Sequence, residues 1–439
     1  TSLLVLRQTA SAESESAEAA TVAKTPEQHA RETEERLLEM LERVKAMEKD
    51  LRIAPDGAIN SCASQYDAAA AFPGDTLLSG GSPVLRRALT PALYTALVEA
   101  GATRNGWNVD KAVQAECDTA AVAAAVATSS ASASASSSTS SSASASASAS
   151  SLVRMGDEES YALLADLVAP LVQDVHGGFN MAKDAHEFDL DASHVSQSPS
   201  IAVQRRVTST CISVSRNIHG ACFAGLISRP ERRDVCSMVQ GAVESLPGTF
   251  SLRHGLTPAV VESLKRRGFV SDPDVVALAT RVAADWPDGR GVFVSEDDRV
   301  CVAANDGEDH LRVSAEGSGF HVTQLFGSVV GVLRAVEAGL DAKGKSFAMH
   351  PVLGALSPSL GRLGSGMRVT VRVQLPKLAQ KGAAAMAPTC TAFGMDVAGV
   401  EGSEVVLVST RSLGVKETQV LDDVVRCVEA LVVADNKMW

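Results

Sequence analysis

The turn Gly361-Arg362-Leu363-Gly364-Ser365-Gly366 has the glycine content of a segment that wraps a phosphate. No Gly-Lys-Ser or Gly-Lys-Thr follows it, so it is not a P-loop. The eight cysteines (Cys62, Cys117, Cys211, Cys222, Cys236, Cys301, Cys390, Cys427) are scattered, with no Cys-x-x-Cys pair and no histidine cluster beside them. That pattern reads as reduced thiols of an intracellular compartment, not as a zinc site or a disulfide framework. The nine histidines lack metal-ligand spacing, so no metal site is expected. Lys265-Arg266-Arg267 reads as a solvated helix face. A net charge of −12 argues against a general nucleic-acid binder. Chemistry must come from residues that the fold gathers. The most informative stretches are Trp286-Pro287-Asp288-Gly289-Arg290-Gly291-Val292-Phe293 and Gly307-Glu308-Asp309-His310-Leu311-Arg312.

The 439 residues suffice for two or three domains, with 45% apolar and 21% charged residues as in an ordinary globular protein. No run of about 18 apolar residues occurs, so no membrane span is expected. The chain starts at Thr1, which suggests removal of a targeting segment or truncation, and processing into an organelle. Residues 1–24, rich in Ser, Ala and Glu, are expected to be disordered. Thr25-Pro26-Glu27-Gln28 opens a helix over 25–53, which Pro55 and Gly57 end. Leu37, Met40, Val44, Met47 and Leu51 form a 3-4-3-4 stripe on it, fit either to fold back on the chain or to dock on a protein partner, the second being preferred. Ser82-Pro83 and Thr90-Pro91 start further helices in 82–127, and Val113–Val126 is an alanine-rich helix. The Ser/Ala tract 128–151 cannot bury enough apolar area to offset its ordering entropy and reads as a solvated loop. Tyr161–Val175 is helical, and 180–210 reads as polar connection. Arg368-Val369-Thr370-Val371-Arg372-Val373-Gln374-Leu375 alternates as a half-buried strand. Gly291–Ser295, Val300–Ala304 and Glu404–Val408 are further strands, with helical runs at 230–245, 257–267, 274–284, 321–338 and 416–434. Strands of this kind among helices, without regular βαβ alternation, predict an α+β fold with an antiparallel sheet flanked by helices.

The order of these segments resembles the phosphagen (ATP:guanidino) kinase family, arginine- or creatine-kinase-like, over roughly residues 82–434. Leu89-Thr90-Pro91 resembles its "LTPE" helix start. Gly156-Asp157 with Ser160-Tyr161, His176-Gly177-Gly178-Phe179 and Lys183-Asp184-Ala185-His186 resemble its "GD…Y", "YHGGF" and "DKH" segments. Val214-Ser215-Arg216 resembles the start of "SSRVRTGR", and Gly307–Arg312 resembles "NEEDHLR". The resemblance implies a small all-helical N-terminal domain, here 82–180 interrupted by the loop 128–151, and a larger catalytic-like α+β domain over 200–439. It also implies phosphate-binding roles for Arg216, Arg312 and Arg368, and puts Glu308 at the base-like glutamate. Phosphoryl transfer of this kind depends on positioning and charge neutralisation.

Several positions depart from the family's pattern. Ile218 and Ala221 replace arginines of "SRVRTGR", Gly307 replaces the first glutamate of "NEED", and Ala398 replaces the arginine of "LQVRGT". Gly268 replaces a histidine, and the mobile loop after Ala398 is shortened. Placed without gaps, the cysteine of "CPSNLGTG" becomes Ser359, which is no thiolate. Losing one preorganised charge stabiliser typically costs ~10²–10³ in rate, and several are lost here. The expectation is therefore a pseudoenzyme with vestigial Glu308, Arg216, Arg312 and Arg368. It would act as a structural or assembly subunit, attached through the 25–53 helix and having no resident cofactor. Its expected address is a mitochondrial energy-converting complex, with a cytoplasmic or cytoskeletal address as the alternative. The rival readings are a nucleotide-binding sensor or a residual phosphotransferase, either of which would use Mg-ATP or Mg-ADP.

Overall fold

The protein is described by a computed structural model covering residues 82–116, 152–273, 277–278 and 280–438. The expected segments 1–24, 25–53 and 128–151 lie outside the described residues, as does most of the alanine-rich helix after 116. Helices α1 (Pro83–Ala88) and α2 (Pro91–Ala100) start as the sequence dictates. Ser82 Oγ accepts from Leu85 N at 3.2 Å and Thr90 Oγ1 from Leu93 N at 3.2 Å, each with proline at the first helical position. The expected 161–175 helix is a short turn, Glu159–Leu163, followed by α3, Ala165–Val175. These helices share a core with the loops at 348–363. Leu85, Leu89, Leu164, Leu167 and Leu171 are buried with Leu353, Leu360 and Leu363.

The larger part is an eight-stranded antiparallel sheet in the order β2-β3-β4-β5-β1-β8-β10-β9. Its strands are β1 (Val207–Arg216), β2 (Gly248–Leu252), β3 (Gly291–Ser295), β4 (Val300–Ala304), β5 (Leu311–Ser318), β8 (Met367–Gln374), β9 (Met395–Glu401) and β10 (Glu404–Ser409). Two short strands, β6 (Met349–His350) and β7 (Gly354–Ala355), form a separate hairpin. Helices α4 (Arg229–Val243), α6 (Val322–Asp341) and α7 (Glu417–Lys437) contribute to one large core with the sheet. The alternation read at 368–375 is present: Val369, Val371 and Val373 are fully buried in that core. Each such side chain contributes about 1.5–3 kcal/mol relative to exposure. Helix α5 (Pro258–Arg266) lies near the β2–β4 end, where Leu264 and Phe269 bury Val292 and Cys301.

Two expectations need correction. The run 180–210 is not connection throughout, because β1 begins at Val207 and lies between β5 and β8 inside the sheet. Its β-branched residues, Val207, Thr208, Thr210, Ile212 and Val214, carried that signal. Within 274–284, residues 277–278 are helical as expected, 274–276 and 279 are not described, and 280–284 are turn where the helix was expected to continue. Arg281 and Asp285 take φ of 60° and 54°, values no α-helix contains. Arg290 organises the segment, donating to the carbonyls of Val282 (2.7 Å) and Ala284 (3.1 Å) with its guanidinium 4.7 Å from the Trp286 ring centre. The Trp286–Phe293 motif is thus scaffolding that leads into β3.

Candidate functional site

Residues paired across an antiparallel sheet project to the same face. Arg312 on β5 pairs with Ser215 on β1 and with Ala303 on β4, and Arg368 on β8 pairs with Ser213 on β1. These residues share the face opposite the buried valines. There, Ser215, Ala303, Asp306, Gly307, Glu308, Asp309, Arg312 and Arg362 line a small open cleft. Arg362 and Arg368 line a small adjoining space with Thr410 and Ser412.

Glu308 is the carboxylate on which this cleft converges. Its Oε1 accepts from Arg154 Nη2 at 2.7 Å and its Oε2 lies 3.3 Å from Arg362 Nε. Burial works against its ionisation, but Arg154 and Arg362, with Arg368 behind them, outweigh that and hold its pKa below the ordinary glutamate value. Arg368 is exposed, and its guanidinium has no hydrogen bond or ion pair among the described residues, although its carbonyl accepts from Ser213 Oγ at 3.4 Å. The neighbouring Arg362 charge, followed by desolvation, pushes its pKa down to about 10. Arg312 donates to the Phe269 carbonyl at 2.7 Å and stands 3.7 Å from Asp306, while its buried Nε has no partner. Burial raises Asp306 to about 6 despite Arg312 and the Ser271 N–H that it accepts at 3.0 Å.

Arg216 does not join them. It is one residue beyond Ser215, so strand alternation sends it to the other face, where it is 3% exposed. It donates to the carbonyls of Ser215 (2.8 Å) and Ser365 (2.7 Å), and its guanidinium lies 5.7 Å from the Phe188 ring centre. Burial lowers its pKa to about 10, opposed by Glu417, Glu337 and Asp309. The structure thus corrects the placing of Arg216 at the phosphates: Ser215 holds the cleft position.

Asp309 and His310 are structural. Asp309 Oδ1 accepts from Asn217 Nδ2 and from Ser357 Oγ, both at 2.7 Å. His310 Nδ1 accepts from Ile218 N at 3.0 Å, which leaves Nε2 to donate to the Cys222 carbonyl at 2.8 Å. Burial lowers its pKa and keeps the ring neutral. Ser359 is half-buried, opposite Arg154 in a single β-bridge, and does not line the cleft. Ser357-Pro358-Ser359 also fits the cysteine-proline-serine order if two residues are inserted after it, and Pro358 was the signal for that. Either placement gives a hydroxyl in place of the thiol. Ile218 is fully buried core, and Ala398 falls at the register shift where β9 opposes β10. Gly307 has open space around it, since a Cβ there would meet nothing within 4 Å. Arg267 corrects the reading of 265–267 as wholly solvated, because it pairs with Glu316 at 3.3 Å and stacks 4.3 Å from Phe269.

Sequence reasoning missed Arg154 and Arg362 as cleft residues. Arg362 was visible in the glycine-rich turn. Arg154 had no local signal, because a segment far away in sequence brings it to Glu308. Among the described residues no group of three His, Cys, Asp or Glu could hold a metal ion, all cysteines there are free, and no helix is long and apolar enough to cross a membrane.

Residues 234–438 match the profile of the ATP:guanido phosphotransferase C-terminal catalytic domain. The chain is 32% identical over 231 residues to the creatine kinase testis isozyme of Oncorhynchus mykiss, covering 51% of this chain and 60% of that relative. It thus spans about three fifths of that relative's length. A lombricine kinase structure superposes with a TM-score of 0.70 at 24% identity, covering 85% of this chain and 96% of that one. The duplicated taurocyamine kinase of Schistosoma mansoni gives 0.68 at 19%, covering 85% and 49% respectively. At these identities the two structures show a shared fold.

Proposed function

We propose that the chain is a member of the phosphagen kinase family that retains the family's fold without phosphorylating guanidines, serving instead as a structural or assembly subunit. The observation that carries this reading is the charge balance of the cleft. It holds Arg154, Arg362 and Arg368 around Glu308, whose pKa those cations depress, with Arg312 lining the same cleft. A carboxylate whose pKa is held below the ordinary glutamate value by neighbouring cations is a weaker general base. The neighbouring position that would add a second carboxylate is Gly307, and a serine stands where a thiolate would. In this reading attachment runs through the 25–53 helix, supported by its apolar stripe. The preferred address is a mitochondrial energy-converting assembly, with a cytoplasmic or cytoskeletal one as the alternative.

A second reading, a sensor that holds a nucleotide without turnover, is favoured by the unpartnered Arg368 guanidinium and the unpartnered Nε of Arg312. Such groups suit phosphate oxygens, whereas the described residues offer no cluster of metal ligands. Calorimetric titration of the full chain with Mg-ADP separates the two. No heat at millimolar nucleotide is expected for the structural subunit. Saturable binding that Arg368→Ala abolishes would replace that reading with the sensor.

A further inference from the structure

Glu308 already carries a guanidinium supplied by the chain. Arg154 Nη2 lies 2.7 Å from Oε1, and the Arg154 side chain is only 9% exposed. The backbone beneath it is pinned. Arg154 N donates to the Ala112 carbonyl at 3.0 Å, its own carbonyl accepts from the Trp107 indole at 3.2 Å, and Met155 N donates to Pro358 at 2.9 Å. A guanidinium on so fixed a stem has less freedom to lose on pairing than a free ligand has. Its Nε is buried without a partner, so the contact with Glu308 is not a two-pronged fork. Arg154 Nη1 donates to the Val153 carbonyl at 3.3 Å, and the shorter, charged contact with Glu308 is the one that directs the guanidinium to that carboxylate.

We propose that Arg154 is a resident occupant of the guanidine place. Its guanidinium takes the carboxylate oxygen that an incoming guanidine would need, and so determines that free guanidines are excluded. This inference rests on reading the cleft as a former guanidine site, and it does not depend on whether turnover is lost.

The test is calorimetric titration of methylguanidinium, and separately of creatine, into the full chain and into Arg154→Ala. The unaltered chain should give no saturable heat. Arg154→Ala should bind at least one of the two probes at least about tenfold more tightly, as expected when one charge-assisted hydrogen bond becomes available. Adding Glu308→Gln to that variant should abolish the gain. Arg154→Gln, which keeps a polar side chain of similar reach, must behave like Arg154→Ala, with thermal melts confirming that both are folded. Equal binding, or equal absence of binding, in the unaltered chain and the folded variants would overturn the proposal. The titration involves no turnover, so its failure is distinct from finding phosphotransfer in the unaltered chain.

Discussion

Arg216 and Arg368 lie on neighbouring strands of one sheet, and they do opposite things. Arg368 faces the cleft, exposed and unpartnered, while Arg216 is sealed into the other face by two backbone carbonyls and an aromatic ring. Residue type is the same in both, so strand parity decides the role. A single step along β1, from Ser215 to Arg216, separates a group that can meet a ligand from one that can only hold the fold.

The sharpest way to break that contrast is to remove each arginine in turn. Arg216→Ala strips the donor from two buried carbonyls and the counter-charge from Glu417, itself fully buried. Chemical denaturation should show a loss of about 3–5 kcal/mol, the cost of breaking a buried charged network. A loss under about 1 kcal/mol would mean that Arg216 is not structural.

A smaller effect tests how the helical region holds Arg154 at the same cleft. A Cβ at Gly156 would come within 2.3 Å of the Trp107 ring, whose indole bonds the Arg154 carbonyl. Gly156→Ala should cost about 1–3 kcal/mol in denaturant melts, as overpacking does.

Next comes pH. Asp306 titrates at about 6 in the fold against an ordinary 3.8. Its raised value means that the native state holds the proton more tightly than the unfolded chain does. The contribution of Asp306 to stability is therefore fully present below about pH 3.8 and is lost as pH rises through about 6. Asp306→Asn should flatten stability across that window, and an unchanged slope would show that Asp306 is not its source. The smallest effect is expected for Arg368→Ala, which should shift stability by no more than about 0.5 kcal/mol because no partner is lost.

Much of the sheet was legible in the sequence because alternation survives without context, as in 368–375. Helix starts were legible because Ser82-Pro83 and Thr90-Pro91 are local devices. The stretch 280–284 misled because its apolar spacing continues a helical pattern, while the turns there are held by Arg290, which follows in sequence. At the site, Glu308, Arg312 and Arg368 were visible as motif residues. The face that Arg216 occupies was not, because motif matching does not fix the parity of a strand. Arg154 was invisible for a different reason: its partner is 154 residues away, and only tertiary packing joins the two.

The most direct measurement of the central claim is phosphoryl transfer itself. The full chain would be incubated with Mg-ATP and, in turn, creatine, lombricine and taurocyamine, with phosphorus NMR following the products. The account predicts no phosphoguanidine signal beyond that of a protein-free control. A phosphoguanidine resonance that grows with time and vanishes in Glu308→Gln would contradict it, showing that the paired glutamate still works as a catalytic group.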